Sequence, residues 1–148
     1  MKRILGLLLI AGLLVVSCKK EGCMDFNATN YNSAASKDDG SCTFEGNVVF
    51  WFDDTTSATM YASSTMRMDI MMDNVVIGSL NWNQFTSTAP NCGISGYTET
   101  IDMTSIETKN QIWYAWTPPD SVSGIRSFID SGVVIFEKGE CIPVEIEY

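Results

Sequence analysis

Thr65-Met66-Arg67-Met68-Asp69-Ile70-Met71-Met72-Asp73-Asn74-Val75-Val76-Ile77-Gly78-Ser79-Leu80 decides the fold class. Met66, Met68, Ile70 and Met72 alternate with Thr65, Arg67 and Asp69, the period of a half-buried strand with one polar face. Asp73-Asn74 has the chemistry of a tight two-residue turn, and Val75 to Leu80 reads as the returning strand of a hairpin. Outward from this hairpin the same texture continues. Val48, Phe50 and Phe52 alternate with Val49 and Trp51, and Tyr97–Met103 and Gln111–Trp116 read as further strands. Thr117-Pro118-Pro119-Asp120 is a break. Gly132–Glu137, a Lys138-Gly139 turn and Cys141–Tyr148 read as a final hairpin, with Ile142, Val144, Ile146 and Tyr148 on one face and Glu145 and Glu147 on the other. Ser121 to Ser131 fits either a short helix or an irregular edge.

Six or seven short strands with frequent turns, and no long segment of helical period, predict an all-β domain. The expectation is a small antiparallel β-sandwich over residues 45–148. Its diffuse pattern is similar to the Ig-like and transthyretin-like sandwiches of bacterial surface lipoproteins.

Composition narrows the chemistry. The chain has 148 residues, 9 Lys+Arg against 18 Asp+Glu, and no histidine. Without His there is no Ser-His-Asp or Cys-His nucleophile and no His-based metal site. The acidity argues against binding nucleic acid by neutralising phosphates. With 45% hydrophobic and 18% charged residues the chain is no disordered tail.

Lys2 and Arg3 precede an unbroken apolar or Gly run from Ile4 to Val16. That is short of the about 20 residues of a membrane span and fits the h-region of a secretory signal. The run ends in Val15-Val16-Ser17-Cys18, which resembles the lipobox of bacterial lipoproteins. The resemblance implies a signal peptide over residues 1–17, a diacylglycerol on the Cys18 thiol, and an acylated (palmitate-type) new N-terminus, with residues 18–21 as the lipidated tether. Two or three acyl chains hold a protein stably at a membrane where one does not. Lys19 follows the cysteine where Asp would signal inner-membrane retention, so the expected location is the outer membrane, facing the periplasm or the cell surface. With the leader gone, 7 Lys+Arg face 18 Asp+Glu, a net charge of −11.

Five cysteines make an odd count, but lipidation of Cys18 leaves Cys23, Cys42, Cys92 and Cys141, an even set in an oxidising compartment. Four cysteines allow three pairings. Cys23–Cys42 and Cys92–Cys141 is the pairing that keeps each bridge within one module. A four-thiolate zinc site is the alternative, and no C-x-x-C supports it.

Residues 22–44, from Gly22-Cys23-Met24-Asp25 through Asn30-Tyr31 to Asp38-Asp39-Gly40-Ser41-Cys42, resemble a short extracellular repeat of bacterial secreted and surface proteins, with Ser33 where that repeat often has Pro. The resemblance implies a small disulfide-closed unit, described in that family as a calcium binder. Asp25, Asn27, Asp38 and Asp39 are the candidate Ca²⁺ ligands, as hard oxygen donors. Asx-turns are the competing use of the same side chains.

Further site candidates are few. Trp82, flanked by Asn81, Asn83 and Gln84, has the make-up of a sugar-stacking aromatic, with a buried loop anchor as the competing reading. Trp113 and Trp116 are three apart, so one of them should be core. The methionines can ligate Cu(I), but their spacing puts them on the core face of a strand. Asp54-Thr55-Thr56 and Asp120-Ser121-Val122 resemble acceptors of a bacterial O-glycosylation system. Paired acids hydrolyse glycosides only at a defined separation in a cleft, which so small a sandwich rarely provides. The leading expectation is therefore a lipid-anchored cell-envelope protein, non-catalytic, used for structure, adhesion or interaction with a protein or glycan. A carbohydrate-binding surface lipoprotein and a small enzyme are the other two readings.

Overall fold

The computed structural model describes residues 19–103 and 107–148. The expected signal peptide, residues 1–17, and the expected lipidation site Cys18 lie outside the described residues. Seven strands and one helix follow in the order β1 (Glu45–Trp51), α1 (Asp54–Ala62), β2 (Arg67–Met72), β3 (Val75–Asn81), β4 (Tyr97–Asp102), β5 (Thr108–Trp116), β6 (Phe128–Glu137) and β7 (Cys141–Glu145). They form a β-sandwich of a three-stranded sheet, β4-β1-β7, and a four-stranded sheet, β3-β2-β5-β6.

The β2–β3 hairpin turns at Asp73 and Asn74, whose φ values of 50° and 63° are both positive. That is the backbone of a type I′ turn, whose twist matches the flanking strands. Met68, Ile70 and Met72 are buried, while Met66, at the mouth of the strand, is exposed. Asp69 departs from the expected polar face: it is only 3% exposed. Its carboxylate is covered by Arg67 Nε and Arg126 Nη1, each at 3.1 Å.

Three further expectations are corrected. The final hairpin does not form. β6 belongs to the four-stranded sheet, and β7 crosses to the other sheet, where it pairs with β1 in parallel, Asn47 opposite Cys141 and Trp51 opposite Glu145. Pro143 is tolerated there because β7 is an edge strand. Residues 121–123 form a turn, and β6 begins at Phe128, four residues earlier than the apolar run suggests.

The third correction is helix α1, which the alternation pattern did not show. Asp53 caps it by accepting from Thr56 N–H at 2.9 Å, and Asp54 sits in its first turn, the favourable end for a negative charge. The helix closes one end of the sandwich. Met60 is fully buried, Ser57 Oγ donates to Trp82 O at 2.6 Å, and Thr56 Oγ1 donates to Ile146 O at 3.3 Å.

The core lies between the sheets and is built from Val48, Phe50 and Phe52 against Met68, Ile70, Leu80, Trp113, Val134 and Phe136, with Ile146 from the C-terminal segment. Phe50 meets Trp113 edge to face at 5.4 Å, joining the two sheets at their centre. Each side of the sandwich has its own closure. On one, Glu147 N–H donates to Asp130 Oδ2 at 3.1 Å. On the other, the Tyr97 ring of β4 lies against the bare Cα of Gly78 in β3. A Cβ built on Gly78 would come within 2.2 Å of that ring. Gly78→Ala should therefore cost about 2 kcal/mol, the range of overpacking a rigid neighbour. Urea unfolding checks this, and an unchanged midpoint would contradict the closure described.

The Tyr97 hydroxyl faces Ile77 O and lies 3.0 Å from Glu99 Oε2. Burial first, then the hydrogen bond to Glu99 and its negative charge, push the phenol up to about 12. The folded value lies above the about 10 of an unfolded chain. The group's contribution to stability is therefore complete below pH about 10 and lost as pH rises toward about 12. Wild type should lose more stability than Tyr97→Phe across that window, as read by urea midpoints at each pH.

Candidate functional site

The 22–44 module is not a free appendage. Cys23, Ala28 and Phe44 are buried in the same core cluster as the sandwich. Phe44 O accepts from Met103 N–H at 3.0 Å, and the Lys138 ammonium sits 3.8 Å over the Phe44 ring. The expected bridges are both present, Cys23–Cys42 and Cys92–Cys141. Local hydrogen bonds employ Asp and Asn side chains of this module. Asp25, Asp38 and Asp39 accept from the N–H groups of Asn27, Gly40 and Ser41, each at 3.0 Å. Asn30 clamps the closing segment, donating to Ser41 O and accepting from Thr43 N–H. Gly40 takes φ +71°, and Gly22 leaves room for Asn32, 2.9 Å from where a Cβ would sit. The Ser41 hydrogen bonds hold the Asp39 carboxyl below the usual range. Of the four residues read as Ca²⁺ ligands, Asp25, Asp38 and Asp39 thus each close an Asx-type turn, and Asn27 supplies its backbone N–H to the first of them. Among the described residues no three His, Cys, Asp or Glu side chains converge on a point that could hold a metal.

Trp82 is half-buried against the core, its ring 5.1 Å from Tyr61. Its backbone is fixed by the Ser57 hydrogen bond and by its N–H donating to Met66 O. The amide of Gln84 is spent on Asn81, accepting from its N and Nδ2. Trp113 is core and Trp116 is not, as their spacing requires. Asp120 is a turn residue. Hydrogen bonds from Ser123 first, and from Val122 N–H, hold its carboxyl below the usual range. It thereby shapes the 117–127 loop that carries Arg126. A surface depression of about 690 Å³ lies between this loop and residues 64–67, its lining a mixture of Ser and Thr hydroxyls with Met66, Pro118 and Ile125.

The two outer faces of the sandwich differ. On the three-stranded sheet, Val49 and Trp51 point away from the core yet are 0% and 8% exposed. The 82–96 segment crosses this face, held by Thr86 N–H donating to Phe52 O and by the Cys92–Cys141 bridge. Gly96 packs so closely that a Cβ there would stand 3.1 Å from Val49 Cγ2. The outer face of the four-stranded sheet is as apolar and is open. Across it run the rows Val76–Met71–Tyr114–Ser131 and Ile112–Val133, set by the strand registers. Val76, Ile112, Val133 and Ile135 are all exposed.

At the end of this face remote from the 22–44 module, a register shift between Ala115 and Trp116 skips Ile129 and sets Phe128 opposite Trp116. Bulges of this kind re-aim side chains, and here the two rings meet edge to face at 5.4 Å. Beside them Met71, Asn74, Tyr114, Trp116 and Arg126 line a depression of about 290 Å³. Trp82, not Trp116 or Tyr114, is the aromatic that the sequence favours for sugar stacking, and nothing in it marks Arg126. The available signal was that Ile112-Trp113-Tyr114-Ala115-Trp116 is apolar on both faces, although only one face can be core.

The fold and this face define a small disulfide-bonded β-sandwich with one covered and one open sheet. No family, curated protein or solved structure matches the chain.

Proposed function

We propose that the chain is a lipid-anchored cell-envelope protein whose sandwich is a non-catalytic module for adhesion or interaction. The observation that carries this reading is the unequal treatment of the two outer faces. One is covered by a disulfide-strapped loop, while the other leaves Ile112, Val133 and Ile135 in water. Contiguous exposed apolar surface on a folded domain is the signature of a docking site.

Anchoring through Cys18 would also orient that site. Backbone pairing begins at Lys20, whose O accepts from Ser36 N–H at 2.7 Å, and Glu21 bridges Lys37. A lipidated Cys18 therefore stands about 7 Å of chain from the body. The end carrying Glu45 and Gly139 would lie against the outer membrane, with Trp116 and Arg126 directed away from it.

Metabolic labelling with an alkynyl palmitate and mass spectrometry of the mature N-terminus test the anchor. The expected result is a lipid-modified peptide beginning at Cys18, with label lost in Cys18→Ser. A free amine at any other mature N-terminus would overturn it.

A further inference from the structure

We propose that the Trp116–Arg126 depression binds an acidic saccharide, a proposal that rests on reading the sandwich as a binding module. Tyr114 and Trp116 occupy the same face of β5 two residues apart, about 7 Å along the strand. Together with Met71 they floor a hollow of about 290 Å³, near the lower bound of small-ligand sites and suited to a pyranose ring. The polar groups in its mostly apolar lining are the Asn74 amide, the Tyr114 phenol and the Arg126 guanidinium. An aromatic floor with hydrogen-bonding groups beside it matches a sugar, whose C–H face is apolar and whose edge is hydroxyls.

Charge selects the kind of sugar. Arg67 and Arg126 are the only arginines beyond the leader, in a chain that is −11 from Lys19 onward, and both lie on this face. Two guanidiniums meet the single carboxylate of Asp69, which leaves an excess of positive charge at the Arg126 end of the hollow, while Asp73 stands beside Asn74 at the other end. Arg126 spends Nη1 on Asp69. That contact fixes the side chain and leaves further guanidinium N–H donors, the fork that pairs with a carboxylate. A uronate ring stacked on Trp116 with its carboxylate at Arg126 would use both the aromatic and the cationic part of the hollow. A bare anionic membrane would meet the repulsion of the whole chain, and a second copy of this face would set arginine against arginine.

The test uses the full chain in detergent, with polygalacturonate, alginate and hyaluronate as acidic probes, dextran as neutral probe and polyglutamate as an acidic polypeptide. Calorimetric titration and gel retardation should show binding to at least one acidic polysaccharide, weakened by salt, with dextran weaker by about tenfold or more. Trp116→Ala should abolish the binding. Arg126→Gln should remove the preference for acidic over neutral polymer, with Arg126→Lys restoring part of it. Trp82→Ala should leave binding unchanged. Thermal melts of each variant separate lost binding from lost fold. Absence of binding to all three acidic polysaccharides would overturn the proposal, as would binding indifferent to both Trp116→Ala and Arg126→Gln. Polyglutamate binding as tightly as the best polysaccharide would replace it by an acidic protein partner. A palmitate-labelled protein that ignores every saccharide would sink the saccharide and leave the envelope reading standing.

Discussion

Replacing Cys92 and Cys141 together by serine should lower stability by about 4 kcal/mol, the chain-entropy value for a closed loop of about 50 residues. The bridge spans a sequence separation of 49. Its loss should also let the 82–96 segment lift from the outer face of β1. Val49 and Trp51 are buried on the face that this segment crosses, with Gly96 packed against Val49, and burying such side chains is worth about 1.5–3 kcal/mol each. Urea unfolding of the variant, followed by tryptophan emission, should show an earlier midpoint and a red-shifted folded baseline as Trp51 meets water. An unchanged midpoint with an unchanged spectrum would mean that the segment holds its place without the strap.

Phe50→Ala should be of similar size, about 4 kcal/mol, within the usual cost of emptying a buried phenylalanine site. Phe50 is fully buried on the central strand of one sheet and meets Trp113 of the other. Rigid strands on both sides limit how far the space can collapse. The expected signature is a lower thermal midpoint with altered near-ultraviolet dichroism from Trp113. Val133→Thr, on the open outer face, should by comparison shift stability by only a few tenths of a kcal/mol. Equal effects at the two positions would contradict the assignment of core and open face.

Where one face of a strand meets the core and the other meets solvent, period two is written into the residues. β2, β3 and the Asp73-Asn74 turn were therefore legible in the sequence, as were both disulfides, whose partners lie within continuous modules. Helix α1 was hidden because its inward face is Thr56, Ser57 and Met60, two of them hydroxyl residues that satisfy themselves on Ile146 and Trp82 carbonyls. No apolar stripe marks such a helix, and only the Asp53 cap could have announced it. The last hairpin failed for a different reason. A short turn between two apolar runs looks alike whether the second strand folds back beside the first or steps across to another sheet, because the partner that decides, β1, lies at the far end of the chain. Asp69 was assigned to solvent by alternation alone; Arg126, 57 residues away, is what allows its burial. The candidate site was illegible for the same reason. Arg126, Trp116 and Met71 come from three separate segments, and nothing local in any of them calls for the others.

The strand at the heart of the smaller sheet has to wait for its neighbours. β1 pairs only with β4 and β7, which begin at Tyr97 and Cys141. As the chain emerges, Val48-Val49-Phe50-Trp51 is made early and stays without a ladder on either side while nearly everything else is still to come. Pairing over such separations is slow to form, and an unpaired apolar strand invites the wrong partner. The half-finished chain is therefore exposed to mispairing at this segment in a way that the finished one is not. Completion then falls to the most C-terminal strand, when Glu145 arrives opposite Trp51 and the central ladder closes.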